Sequence, residues 1–320
     1  MNPTREIPDD AALPGLAVMR ERGLARTLPA LGLRGPVELV MRGYTKAKRM
    51  TLEARCGDLR LAVKACAHDP TPEAQLYQEL AAHGLAPGPA RARTAGVRAP
   101  PLLAWDAKLR LLVTGWLEGP ALNDLIREGQ GERAGELASR WIRRAASLPV
   151  MHGPALGPAT ILDKAPGWVG MLARADAELG SAAAALLREL GRTPPSVESP
   201  GLVHGTLYAR HIIDTGTGSG LIDWDGFGRG PAELDAGTFL ATVRRIGLSS
   251  PGAAAAVAGA ELAFLAGTAG QLDESTLAWY RAAALLRIAR RLEIRSSPNW
   301  KARALRLLSE ADRLAMAAAA

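Results

Sequence analysis

The periodicity of this chain changes near residue 115 and then briefly changes back near residue 202. Before residue 115, Pro36 to Met41 (PVELVM), Arg49 to Arg55 (RMTLEAR) and Leu59 to Cys66 (LRLAVKAC) alternate apolar and polar residues, as half-buried strands do. A basic turn with one glycine, Arg42 to Lys48, joins the first pair, and Cys56-Gly-Asp58 joins the second, so an antiparallel meander is predicted. In its third strand Leu61, Val63 and Ala65 share one face, while Ala62 and Lys64 share the other. Asp69-Pro-Thr-Pro72 breaks the strand, Asp69 or Thr71 can cap a helix over Glu73 to His83, and Gly84 ends it. The Pro/Gly/Arg-rich stretch from Leu85 to Pro101 reads as loop, followed by strands at Pro101 to Trp105 and Leu109 to Val113.

After residue 115 the pattern is helical, with helices predicted at 122–126, 131–147, 168–190, 236–245, 252–266, 275–295 and 301–319. No internal repeat is visible. The expectation is an α+β protein: a small N-terminal antiparallel sheet with one helix, and a larger, mostly helical C-terminal lobe. A length of 320 residues exceeds one compact core, so we place an N-terminal lobe at 1–115, with an extension at 1–35, and a C-terminal lobe at 116–320. The opening segment lacks an apolar signal region, and the small-residue stretch Ala253 to Gly270 is interrupted by Glu261, so no membrane span is predicted. Cys56 and Cys66 lack metal-ligand spacing and read as free thiols of a cytoplasmic protein. The net charge of +7 would attract anions, but its arginines are dispersed, without the basic patch a nucleic-acid partner requires.

The return to strand pattern lies in LVHGTLYARHIIDTGTGSGLIDWDGFGRG, Leu202 to Gly230. Ile212–Ile213 and Leu221–Ile222 flank a Gly/Thr/Ser turn that suits a hairpin. Centred on Thr217, the hairpin pairs His211 with Asp223, about 5 Å apart at Cβ. Two metal or phosphate ligands at the open end of a hairpin are more than folding alone asks for.

This strip, with its flanks, resembles the catalytic region of the aminoglycoside phosphotransferase family, which has a bilobal, protein-kinase-like fold. The first part reads His204-Gly-Thr206-Leu-Tyr-Ala-Arg-His211-Ile-Ile, the second Leu221-Ile-Asp223-Trp, and the third Gly230-Pro-Ala-Glu-Leu-Asp235. Leu61-Ala-Val-Lys64 matches the lysine strand, Thr114-Gly-Trp-Leu-Glu-Gly119 the hinge, and Trp279 to Arg287 a late helix, in the family's order. The likeness spans about residues 36 to 315. It implies an ATP-dependent phosphotransferase acting on a hydroxyl (or amine) of a small molecule such as an antibiotic, a sugar or an amino alcohol, or on a peptide Ser or Thr. By the same likeness Lys64 clamps the nucleotide phosphates, Glu73 positions Lys64 (with Glu79 as competitor), and the backbone of Thr114, Gly115, Trp116 and Leu117 seats adenine. Asp223, with His211, is the implied ligand of Mg²⁺ or Mn²⁺.

The departures concern chemistry rather than fold. Thr206 stands where the family carries its catalytic aspartate, His211 where it carries a metal-binding asparagine, and Pro231 where it carries a further aspartate. A threonine is no base near neutral pH, yet general-base catalysis is worth only about 10²–10⁴-fold, and phosphoryl transfer depends mainly on positioning and charge. Thr206 can orient the acceptor, with Asp225, His211 or His204 taking the proton within the loop 202–235. The alternative is a degenerate phosphotransferase that binds nucleotide, metabolite or partner without turnover. Trp105, Trp141, Trp168, Trp279 and Trp300 read as core. Arg229 and the Arg287, Arg290, Arg291 cluster read as solvated faces, with anionic substrate as the alternative.

Overall fold

A computed structural model describes residues 7–86, 96–150, 152–197, 200–290 and 299–319. The chain separates into two compact units between Glu118 and Gly119, with Gly96 and Val97 belonging to the second. Unit 1 is built on an antiparallel sheet ordered β1-β2-β3-β6-β5. Its strands are β1 (Glu38–Thr45), β2 (Arg49–Cys56), β3 (Leu59–Cys66), β5 (Leu102–Asp106) and β6 (Leu111–Gly115). The first three follow the predicted meander. Helix α3 (Thr71–Ala82) begins where Asp69 accepts hydrogen bonds from the Thr71 amide and hydroxyl at 2.9 and 2.7 Å. It buries Leu76, Tyr77 and Leu80, one stripe of the helix.

The extension holds a helix that periodicity did not announce. Helix α1 (Pro14–Arg22), followed by the short α2 (Leu24–Thr27), packs Leu13, Leu16 and Met19 onto Met50, Leu61 and Val113 of the sheet. The approach is so close that a Cβ on Gly15 would strike the Leu111 side chain and the Leu109 carbonyl. Trp105 is a correction: alternation along β5 turns Ala104 inward and leaves Trp105 40% exposed.

Unit 2 is helical, with α4 (Leu122–Arg127), α5 (Gly131–Ala145), α6 (Pro158–Ala175), α7 (Ala177–Arg192), α8 (Ala232–Ser249), α9 (Ala254–Gly267), α10 (Glu274–Ala289) and α11 (Trp300–Ala318). Two small sheets interrupt it. In one, β7 (Gly201–Val203) pairs with β10 (Gly228–Gly230); in the other, β9 (Gly218–Leu221) lies between β8 (Ile212–Asp214) and β4 (Gly96–Arg98). The helix predicted over 168–190 is two helices. Asp176, extended at φ −166°, breaks them and caps α7 by accepting from the Glu178 and Leu179 amides. Residues 291–295 of the helix predicted over 275–295 lie outside the described residues, as does most of the loop predicted at 85–101. Trp141 and Trp279 are buried as expected, whereas Trp168 and Trp300 are only partly covered. Neither Cys56 nor Cys66 is in a disulfide, and no helix among the described residues is long and apolar enough to cross a membrane.

Candidate active site

In unit 1 the sheet face opposite Leu61 and Val63 is not solvated. Lys64 is buried there, and its Nζ donates to Glu73 Oε1 at 2.6 Å; Glu73, rather than Glu79, comes to it from the first turn of α3. The β2–β3 register sets Glu53 opposite Ala62 and Thr51 opposite Lys64, so Glu53 shares the lysine's face. Glu53 is fully buried and receives hydrogen bonds from Arg55 Nε at 2.6 Å, Arg42 Nε at 2.7 Å and Arg60 Nε at 2.8 Å. Burial alone would push its carboxyl up, but the three guanidinium groups outweigh it and hold the pKa at about 2. Arg60 also pairs with Glu118 and lies 4.6 Å over the Trp116 ring. In the segment expected to be the hinge, Thr114 is buried, the Gly115 amide donates to the Pro101 carbonyl at 2.8 Å, and the Trp116 amide donates to the Arg60 carbonyl at 3.3 Å. These two amides of the predicted adenine seat are therefore engaged within unit 1.

In unit 2 one aspartate organises the His204-Gly205-Thr206 turn. Asp235, buried on α8, accepts from the His204 amide at 2.7 Å, the Gly205 amide at 2.9 Å and Trp141 Nε1 at 3.1 Å. Burial pushes this carboxyl upward against those donors. Gly205 sits at φ +73°, and a Cβ there would collide with the Gly226 carbonyl. His204 Nε2 lies 2.9 Å from the Ile222 carbonyl, which can only accept, so Nε2 carries the ring proton. Its Nδ1 then accepts from the Thr206 hydroxyl at 3.3 Å. The Thr206 proton is thus directed at His204, and the hydroxyl's lone pairs are left for an incoming hydroxyl.

The hairpin register is one residue off the expected one. Ile212 pairs with Leu221 and Ile213 with Gly220, and the Ile222 amide donates to the His211 carbonyl, so His211 stands opposite Ile222. His211 and Asp223 meet nonetheless, because Asp223 adopts φ +68° and turns the chain; His211 Nε2 is 3.3 Å from Asp223 Oδ2. His211 Nδ1 donates to the Thr206 carbonyl at 2.9 Å. Burial lowers the His211 pKa to about 3, in spite of the upward pull of Asp223. At neutral pH an unprotonated nitrogen therefore faces a carboxylate oxygen, and both offer electron pairs to the same space. A divalent cation fits that pair of donors. No group of three or more His, Cys, Asp or Glu side chains that could hold a metal occurs among the described residues, so other ligands would come from substrate or water. Asp225 is exposed on the single turn Trp224–Gly226.

Beside Thr206 lies a cavity of about 170 Å³ whose wall includes Gly205, Thr160, Lys164, Tyr280 and Arg287. Sequence reasoning missed it, since its wall draws on α6, the His204–Thr206 turn, α8 and α10. Arg229 pairs along β10 with Leu202 instead, Arg290 lies over the Trp168 ring at 5.7 Å, and Arg291 lies outside the described residues.

A family model for a phosphotransferase enzyme family matches residues 59–274. A choline/ethanolamine kinase family protein from Mesorhizobium loti is similar in structure, with 17% identity, a TM-score of 0.59 and 94% of each chain covered. Choline kinase LicA from Streptococcus pneumoniae gives 14% identity and a TM-score of 0.61 over 91% of this chain and 98% of its own. A thermostable mutant of aminoglycoside phosphotransferase APH(4)-Ia, in ternary complex with ADP and hygromycin B, gives 14% and 0.62 over 90% and 96%. Likeness at these identities speaks for the fold, and it agrees with the expected bilobal, protein-kinase-like class. No curated protein gives a significant match.

Proposed function

Because the chain belongs to the phosphotransferase enzyme family, whose model matches residues 59–274, we propose that it moves the γ-phosphoryl group of ATP to a hydroxyl of a small molecule. The observation that carries this reading is the buried Lys64–Glu73 pair. Burying two opposite charges gains little stability over apolar packing, so an ammonium held this way has another use, and nucleotide phosphates supply it. Similar solved structures hold ADP or AMP-PNP. Asp223 and His211 would hold the divalent cation, which would supply positive charge against the nucleotide phosphates. With a nitrogen in that pair, Mn²⁺ suits it better than Mg²⁺.

Thr206 accepts the acceptor's hydroxyl proton as its own proton passes to His204 Nδ1. The acceptor oxygen then bonds to the γ-phosphorus, the bond from that phosphorus to the β,γ-bridging oxygen breaks, and ADP leaves. Asp235 positions the turn that carries both residues. The proteins named above bind or act on choline, ethanolamine or hygromycin B by name; the hydroxyl class, not those compounds, is what we carry to this chain.

The test is thermal stabilisation by ATP with Mn²⁺ or Mg²⁺, and acceptor-dependent ADP release. Lys64→Ala should remove the stabilisation, Asp223→Ala the ADP release, and His211→Asn should move the preference from Mn²⁺ toward Mg²⁺. Absence of any nucleotide-induced shift defeats the reading. Thr206 in the aspartate's place, with the engaged amides of Gly115 and Trp116, favours a second reading, a nucleotide-binding degenerate enzyme. That reading requires nucleotide stabilisation with no ADP release under any acceptor.

A further inference from the structure

The cavity beside Thr206 has a sign. Its wall includes Lys164 and Arg287 and no aspartate or glutamate. Arg287 makes one long hydrogen bond, 3.4 Å from Nη2 to Thr238 Oγ1, and lies 5.4 Å from the Tyr208 ring centre; its Nε is buried with no hydrogen-bond partner. Among the described residues neither Arg287 nor Lys164 forms an ion pair. Tyr280, only 1% exposed, lines the same wall, and its hydroxyl is also buried without a partner. Burial, with a smaller push from Glu233, raises the phenol's pKa, so it stays a donor. Helix α6 opens onto the cavity through Gly157 and Thr160, with no side-chain cap and no acidic residue in its first turn.

Buried donors without acceptors are unusual in folded proteins, and a ligand oxygen is the simplest group to satisfy them. Two unpaired cations, an orphan phenol and a helix N-terminus all ask for the same thing. We infer that the acceptor is a small hydroxy compound carrying a carboxylate or a phosphate monoester, with its anionic end on Arg287, Lys164 and Tyr280 and its hydroxyl on Thr206. This rests on the phosphotransferase reading above. A quaternary ammonium or a polyamine sugar would bring its charge against two unneutralised cations. The volume has room for roughly a dozen water-sized groups, which sets the acceptor's size.

The experiment measures binding and ADP release for glycerate, gluconate, glycerol 3-phosphate, glycerol and choline, with the full chain and AMP-PNP or ATP. The anionic members should bind and turn over at least tenfold better than glycerol, and choline should be inert. Glycerate against glycerol 3-phosphate tells carboxylate from phosphate. Arg287→Gln should weaken the anionic members about 10- to 100-fold relative to glycerol. Lys164→Glu, on the exposed flank of α6, should reduce their advantage several-fold without touching the core. Glycerol or choline matching the anions, anions that fail to bind the wild type, or an unchanged preference in both variants would overturn the inference. Anion binding without ADP release leaves it standing and strikes the kinase reading instead.

Discussion

In unit 1, Arg42, Arg55 and Arg60 close on the buried Glu53. In unit 2, Arg287 and Lys164 flank a cavity whose wall holds no carboxylate. The first arrangement completes itself inside the protein: the negative charge is paid for in place, and Arg60 is further fixed by Glu118 and Trp116. The second is left incomplete. The Glu53 cluster, in which one carboxylate answers three guanidinium groups away from any cavity named here, serves the fold, whereas a charge kept without a partner at a cavity serves what enters the cavity. The two regions therefore predict opposite responses to the same kind of substitution.

The largest effect belongs to Glu53. Glu53→Gln removes the negative charge shared by three arginines and turns one of its two acceptor oxygens into a donor, and should lower unfolding stability by about 2–3 kcal/mol. That is below the roughly 3–5 kcal/mol of a dry pair, because the arginines stay about a third exposed or more and keep water. Arg287→Gln should change stability by no more than about 1 kcal/mol, as the lost stack on Tyr208 is offset by removal of an orphan donor. Chemical denaturation of the two variants compares them directly. An Arg287 variant as damaged as the Glu53 variant would erase the contrast.

Acid separates the regions by pH window. His211 in unit 2 has a folded pKa of about 3 against 6.5 unfolded, so the unfolded chain takes up a proton that the native site refuses. Stability should fall as pH drops from 6.5 toward 3, by up to about 1.4 kcal/mol per pH unit. Glu53 in unit 1 has a folded pKa of about 2 against 4.5, so its contribution is complete above 4.5 and is lost as pH falls toward 2. His211→Asn should flatten the limb between 6.5 and 4.5, while Glu53→Gln should lower stability evenly above 4.5 and change the slope only below it. Asp235, shifted upward, acts with the opposite sign and is common to both variants. A His211→Asn profile that superposes on wild type above pH 4.5 would remove the histidine from the account.

The legible parts of the molecule were those written in a short stretch of chain. Alternation over β2 and β3, and the helix after Asp69, placed Lys64 on a strand and Glu73 on a helix, and the resemblance to the phosphotransferase family is what paired them. Asp223 was found through the hairpin, even though the register was off by one, because its left-handed backbone restores the meeting with His211. The Glu53 network was hidden in RMTLEAR, where a polar alternating face reads as solvated; its burial depends on arginines from three strands. The cavity draws on segments more than a hundred residues apart, and α1 carries too few periodic positions to stand out. The Thr206–His204 bond depends on which ring nitrogen the Ile222 carbonyl claims, a fact of tertiary structure alone.

The smallest effect has the most telling sign. Tyr280→Phe removes one oxygen and preserves the ring that packs edge-on against Trp279 at 5.0 Å, so the core of α10 keeps its shape. Removing a satisfied buried hydroxyl lowers stability by about 1 kcal/mol; removing one without a partner is neutral or favourable by up to about the same amount. The hydroxyl of Tyr280 is of the second kind, so the variant should unfold at an equal or slightly higher urea concentration than wild type. The same variant should bind the anionic probe more weakly, because a donor on the cavity wall has gone. A gain in stability paired with a loss in binding is the signature of a group kept for its ligand, and Glu53 should show no such exchange. If Tyr280→Phe instead lowers the urea midpoint, its hydroxyl is held by a partner within the protein or by ordered water. The cavity would then be as self-contained as the arginine cluster of unit 1.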